Sequence, residues 1–185
     1  MSRAPLALLA SFLLVSCGGH TRSSEPSAGQ ITAAFKGSPP VLAALHGQAD
    51  QLLGGGASAF QARLERLRGY PVVVNKWASW CGPCQSEFPI FQQVAVKFGR
   101  HVAFIGLDGN DHPQAARAFL RKFPVTYPSY LDPDQDIARQ LQAAVYFPQT
   151  VYINARGTQI YTHVGPYETV SALERDLHSY LLGGA

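Results

Sequence analysis

Two cysteines stand three positions apart in Trp77-Ala78-Ser79-Trp80-Cys81-Gly82-Pro83-Cys84. Such a pair serves one of three chemistries: a structural staple, half of a metal site, or a reversible dithiol. A staple this short removes little chain entropy, about 2 kcal/mol for a four-residue loop against about 3 for fifteen. Zinc needs a second pair of Cys or His ligands. The third cysteine, Cys17, is alone, and His46, His101, His112, His163 and His178 show no H-x3–5-H spacing. The redox reading has positive support. A cysteine at a helix start faces free backbone N–H groups and the positive dipole end, which favour thiolate over thiol. Cys81 is then the nucleophile. Cys84, one turn on, is the resolving thiol that attacks a mixed disulfide on Cys81. Gly82 and Pro83 shape the turn between them, and Pro83 has no N–H to satisfy at a helix start.

The flanking elements put the pair at a strand–helix junction. Pro71 opens VVVNKW, a β-branched run that reads as a buried strand. A helical pattern follows from Gly82 to Phe98, with a kink expected at Pro89. Upstream, Phe60, Leu64 and Leu67 share one face of a helix over 57–68. Downstream, residues 102–107 read as an interior strand. Residues 112–123 read as a helix with Asp111 as N-cap and Pro113 at an early position. A short helix is expected over 134–144. Strands 150–154 and 159–164 form a hairpin across Ala155-Arg156-Gly157. A last helix spans 169–182, with Leu173, Leu177, Tyr180 and Leu181 on one face. The order predicts a helix-covered mixed sheet, parallel early and antiparallel at its hairpin.

The amino terminus reads as an export signal. Arg3 gives a basic start, and Leu6 to Val15 is an apolar run, too short for the roughly 20 residues of a membrane span. Leu14-Val15-Ser16-Cys17 resembles the bacterial lipobox, which implies cleavage before Cys17 and its acylation; the simpler alternative is an ordinary signal with Cys17 incidental. The division expected is a lipoprotein signal at 1–16, a lipidated Cys17 with a flexible Gly/Ser/Pro-rich tether at 17–40, and one domain at 41–185. The net charge of +3 is scattered rather than patched, which argues against nucleic acid as a partner. With one close pair left, disulfides are not the framework of an exported fold here.

WCGPC on a strand–helix junction resembles the thioredoxin active site. The wider VVVNKWASWCGPCQSEFP is similar to the extracytoplasmic, membrane-anchored thiol–disulfide oxidoreductases of the TlpA and ResA type. The resemblance covers roughly 52–182. It implies a thioredoxin-like α/β fold, a mixed central sheet flanked by helices, with an extra β/α segment at 108–130 before the late hairpin. It also implies a redox-active Cys81–Cys84 disulfide and a cis Pro148 facing it. Phe147 departs from the small or β-branched residue common before that proline. Trp80, Gly82, Pro83, Phe147 and Pro148 then form the substrate contact. Glu87 matches the acidic residue of the family's Cys-x-x-Glu-x-Pro segment, as a possible proton acceptor or simply a solvated helix glutamate. Asn75 stands where thioredoxins proper carry a buried aspartate. Lys76, facing away from Asn75, reads as a surface group, or else as a cation favouring thiolate. Trp77 and Trp80 read first as packing residues.

The function expected is thiol–disulfide exchange with exported protein thiols and disulfides, without an organic cofactor or metal, and with a separate redox partner to recycle the pair. Gly-Pro between the cysteines resembles reducing thioredoxins, and one task the resemblance implies is reduction of apocytochromes before haem attachment. Two other readings stand beside it. A peroxidase needs a Pro-x3-Thr-x2-Cys-like setting, which the chain lacks. A lipid-anchored binding or chaperone module would keep the fold for contact alone, and its binding would survive loss of both cysteines.

Overall fold

A computed structural model describes residues 26–183; Cys17 and the signal assigned to 1–16 lie outside them. Helices α1 (Ala28–Phe35) and α2 (Pro40–His46) come first, then β1 (Leu52–Leu53), α3 (Gly56–Arg66) and β2 (Val72–Trp77). The middle is α4 (Gly82–Phe98), β3 (Ala103–Gly109), α5 (Pro113–Lys122), β4 (Ser129–Asp132) and α6 (Asp136–Gln140). The hairpin β5 (Gln149–Ile153) and β6 (Gln159–Val164) precedes α7 (Val170–Leu177), which continues as a wider π-helical turn over His178–Leu182.

The six strands form one sheet in the order β1-β4-β3-β2-β5-β6. β1, β4, β3 and β2 run parallel, and β5 and β6 antiparallel. Every residue of β2 is buried, as its position at the centre of the sheet requires. The period of two sends Val73 and Trp77 into the core beneath α4, α5 and α7, with Phe88, Phe91, Phe119 and Leu173. Val72 and Val74 enter the opposite core with Phe60, Ile105, Ile137 and Val151. Trp77 lies at the centre of the first core, 4.6 Å from the Phe119 ring and 5.3 Å from Phe88. Its Nε1 donates to Ser129 Oγ at 3.1 Å. Gly106 makes room for that bond, since a Cβ there would stand 2.0 Å from Ser129 Oγ and 3.0 Å from the indole nitrogen.

Several expectations change. Residues 26–40, assigned to the flexible tether, carry α1, which lies against α4. Ser27 and Gln30 form a reciprocal capping box, each side chain accepting the other's backbone N–H. Phe35 stacks on His46 of α2 at 3.7 Å, anchoring the segment to the domain. Asp111 is not the N-cap of α5. That position is His112, without a side-chain cap, because the Asp111 carboxylate is turned toward Ser79. The helix expected over 134–144 is shorter, starting after Gln135 (φ 57°), and Asp132 accepts from the N–H groups of Ile137 and Ala138 at 3.0 and 2.9 Å. The segment 108–130 holds the added α5 and the approach to β4.

Candidate active site

β2 ends at Trp77, and four residues carry the chain from the C-terminal end of that strand into α4. Cys81 is the N-cap of α4, in extended conformation (φ −84°, ψ 103°), and its Sγ accepts from the Cys84 N–H at 3.2 Å. This is the position of a capping serine or aspartate. Helix N–H groups that satisfy a hydroxyl or carboxylate there stabilise a thiolate equally. Cys81 and Cys84 are joined by a disulfide with S–S 2.02 Å. Cys81 is 4% exposed and Cys84 fully buried, so only the first sulfur is open to a partner.

The approach to Cys81 is braced from β3's end. Asp111 accepts from the Ser79 N–H, from Ser79 Oγ at 2.9 Å and from the His112 N–H at 2.7 Å. Trp80 donates from Nε1 to Asn110 O at 2.9 Å, yet its ring is 55% exposed, so it is a surface residue and not a packing one. The Phe147–Pro148 peptide is cis, and the Phe147 ring packs against Trp80 at 4.9 Å. The structure therefore brings Trp80, Phe147 and the cysteine pair together beyond the C-terminal end of β2.

Beneath the pair lies a buried polar group. Glu87, three residues beyond Cys84 on α4, has no solvent exposure. Its Oε1 accepts from Asn75 Nδ2 at 2.7 Å, and its Oε2 from the Tyr167 N–H at 3.1 Å. Burial pushes this carboxyl up to about 8, against the opposing pull of those two donors. The solvated-glutamate reading is thus corrected: the face of α4 that carries Cys84 turns Glu87 into the core. A group that takes and returns a proton near neutrality is suited to exchange with a thiol, whose ordinary value is about 8.5.

Lys76 corrects a second expectation. It is fully buried, not a surface group. β2 is covered on both faces, so facing away from Asn75 leads into the second core rather than into water. Its Nζ donates to Ala143 O at 2.7 Å and Tyr146 O at 3.1 Å and lies 3.6 Å from the Phe147 ring centre. Burial pushes the ammonium down to about 8, with the Asp132 carboxylate opposing.

Sequence reasoning missed Asp108. It is fully buried near the end of β3, and neither carboxylate oxygen has a hydrogen-bond partner among the described residues. Burial first, and then the neighbouring Asp111 and Asp132, push it up to about 8. The available signal was an acid closing an otherwise apolar strand run. Tyr167 was also missed. Its hydroxyl bonds Tyr152 at 2.6 Å and donates to Asp176 at 2.5 Å, fixing the loop whose backbone N–H reaches Glu87.

A parallel-to-antiparallel sheet covered by helices, with a Cys-x-x-Cys pair capping the helix after its central strand and a cis-proline loop beside it, defines a thioredoxin-like protein. The Redoxin family matches residues 54–177, and the chain belongs to that family. Among curated relatives, it is 34% identical over 105 residues to the thiol:disulfide interchange protein DsbE of Pseudomonas fluorescens biotype C, covering 56% of this chain and 57% of that one. It is 26% identical over 119 residues to the thiol-disulfide oxidoreductase ResA of Bacillus subtilis strain 168, covering 64% and 63%. The chain thus spans less than two thirds of the length of these relatives. Of solved structures, DsbF of Mycobacterium tuberculosis aligns with a TM-score of 0.58 at 29% identity, over 63% of this chain and 84% of that one.

Proposed function

We propose that the chain exchanges a dithiol for a disulfide with exported protein partners, acting as a reductant. The observation that carries this reading is the placement of Cys81 Sγ at the N-terminus of α4, with Cys84 buried one turn inside it and Glu87 beyond. In the reducing direction the Cys81 thiolate attacks a partner disulfide. A Cys81–partner S–S bond forms, and the partner's other sulfur leaves as a thiolate and is protonated. Glu87, in its ionised fraction, takes the proton from the Cys84 thiol. The Cys84 thiolate then attacks Cys81 Sγ, and the second partner sulfur departs. Two electrons pass to the partner, and the Cys81–Cys84 disulfide remains for a separate redox protein to reduce.

Trp80, Gly82, Pro83, Phe147 and Pro148 form the partner contact in this reading. Gly-Pro between the cysteines supports the reducing direction; the potential expected for the pair is then near thioredoxin's, about −270 mV, whereas about −120 mV would mark an oxidant. The finer task proposed is keeping apocytochrome cysteines reduced before haem attachment. The proposed location is extracytoplasmic, with a lipid on Cys17 as the anchor; among the described residues no helix is long and apolar enough to cross a membrane. Cys84→Ala in cells tests the exchange reading, since it should hold partners on Cys81 as adducts released by thiol. Absence of such adducts, with the variant folded and exported, counts against it.

A further inference from the structure

Lys76 is a charged side chain in a strand that is otherwise apolar on that face, and its neighbours explain why it is there. Its ammonium bonds two carbonyls, Ala143 and Tyr146, that immediately precede the cis-proline turn, and it sits 3.6 Å from the Phe147 ring centre. A cation held over a ring face with its water removed is strongly attracted to it. Gly109 leaves the space for this stack. A Cβ at that position would lie 3.2 Å from Lys76 Cε and 3.3 Å from Phe147 Cζ, so one of the two would have to shift. The Phe147 ring in turn meets Trp80, the residue before Cys81, at 4.9 Å with the planes inclined by 59°. Tyr146 and Val145, next along the loop, are 59% and 78% exposed.

We infer that Lys76 is a positioning residue that pins the 143–147 loop and the Phe147 ring against Trp80, building an aromatic shelf beside Cys81 that selects partners with an aromatic or large apolar residue next to their reactive cysteine. The proposal rests on the exchange reading and adds the partner class. Scattered apolar residues on a surface need no explanation. Here exposed Trp80 and half-buried Phe147 meet beside Cys81, and a buried ammonium fixes their arrangement. A partner cysteine bonded to Cys81 Sγ brings its own neighbouring side chain over the Trp80 and Phe147 rings.

The test uses two synthetic peptides, each with one cysteine joined to glutathione, differing only in Phe or Gly before the cysteine. The reduced protein converts each to peptide thiol and glutathione while its own pair becomes the disulfide, so electrons and protons balance. Stopped flow gives a second-order rate constant for each peptide. The ratio of the two constants is independent of the fraction of protein that is folded, so a purely structural loss does not move it. The wild type should prefer the Phe peptide by about tenfold, the range of an aromatic contact with burial of apolar area. Lys76→Met should lower the ratio to about twofold or less. Lys76→Leu, which matches the apolar character of that face, serves as an independent second variant, and Phe147→Ala should remove the preference as well. A wild-type ratio near one, or a ratio kept by both Lys76 variants, overturns the assignment while leaving exchange intact. No reaction with either peptide overturns the exchange reading itself.

Discussion

Glu87 gives the most quantitative prediction, because its position sets both the sign and the size of a pH effect. Burial holds its carboxyl up at about 8, against 4.5 in the open chain. Between those values the unfolded chain has released a proton that the native protein retains. The contribution to stability is therefore fully present below 4.5 and is lost as pH rises toward 8. The slope is about 1.4 kcal/mol per pH unit and falls to half that at pH 8, so the loss from pH 6.5 to 8 is about 1.6 kcal/mol. Asp108, also held at about 8, has the same sign and adds a similar loss. Burial lowers His46 and His163, which act below about 6.5, and Lys76, whose effect has the opposite sign and only begins as pH nears 8.

The assay is urea unfolding of the disulfide-bonded protein, in which the cysteines carry no titrating proton. Wild type should lose about 3 kcal/mol across the window and Glu87→Gln about 1.5, with Glu87→Gln/Asp108→Asn nearly flat. Each 2 kcal/mol corresponds to about 1 M in the urea midpoint. At pH 6.5 Glu87→Gln should start lower by about 1–3 kcal/mol, because one end of the amide meets the Tyr167 N–H with a second donor. Its curve then converges on the wild type with rising pH. Parallel curves for wild type and Glu87→Gln would refute the claim that the native protein keeps this carboxyl neutral at pH 7.

Two further outcomes follow from the contacts around the site. Asp111→Ala removes the acceptor for the Ser79 N–H, Ser79 Oγ and the His112 N–H, and should cost about 2–3 kcal/mol by chemical denaturation. It should also slow exchange at Cys81, and a variant as stable and as fast as wild type would show that the loop needs no brace. Ser27→Ala should cost about 1 kcal/mol and raise hydrogen exchange over 28–35 if that capped helix is part of the folded domain; unprotected amides there in the wild type would return the segment to the tether.

The centre of the site was legible because its signals are local. Cys81-Gly82-Pro83-Cys84 after a β-branched run gives a capped helix on backbone physics alone, and α4 starts and ends where its pattern does. The hairpin β5–β6 was equally legible from its turn. Strand β1 was not, because two residues carry no periodicity and exist only through pairing with β4. The capping box at Ser27 and Gln30 was present in the sequence, but the Gly, Ser and Pro around it weighed toward a tether. Lys76 and Asp108 were misread or missed for one reason. A charge in an apolar run says nothing of its partners, and those of Lys76 lie on the loop before Pro148, about 70 residues away. Glu87 was found through a resemblance, and its burial through the packing of α4 against Asn75 and Tyr167.

The central claim is that Cys81 and Cys84 are a working dithiol. Its most direct measurement is a single turnover of the reduced protein with an oxidised, unfolded protein substrate, followed by mass spectrometry. One Cys81–Cys84 disulfide should form for every two substrate thiols released, much faster than with an equal concentration of dithiothreitol, and Cys81→Ser should abolish it. A rate no higher than dithiothreitol's, or turnover that survives in Cys81→Ser, would contradict the account.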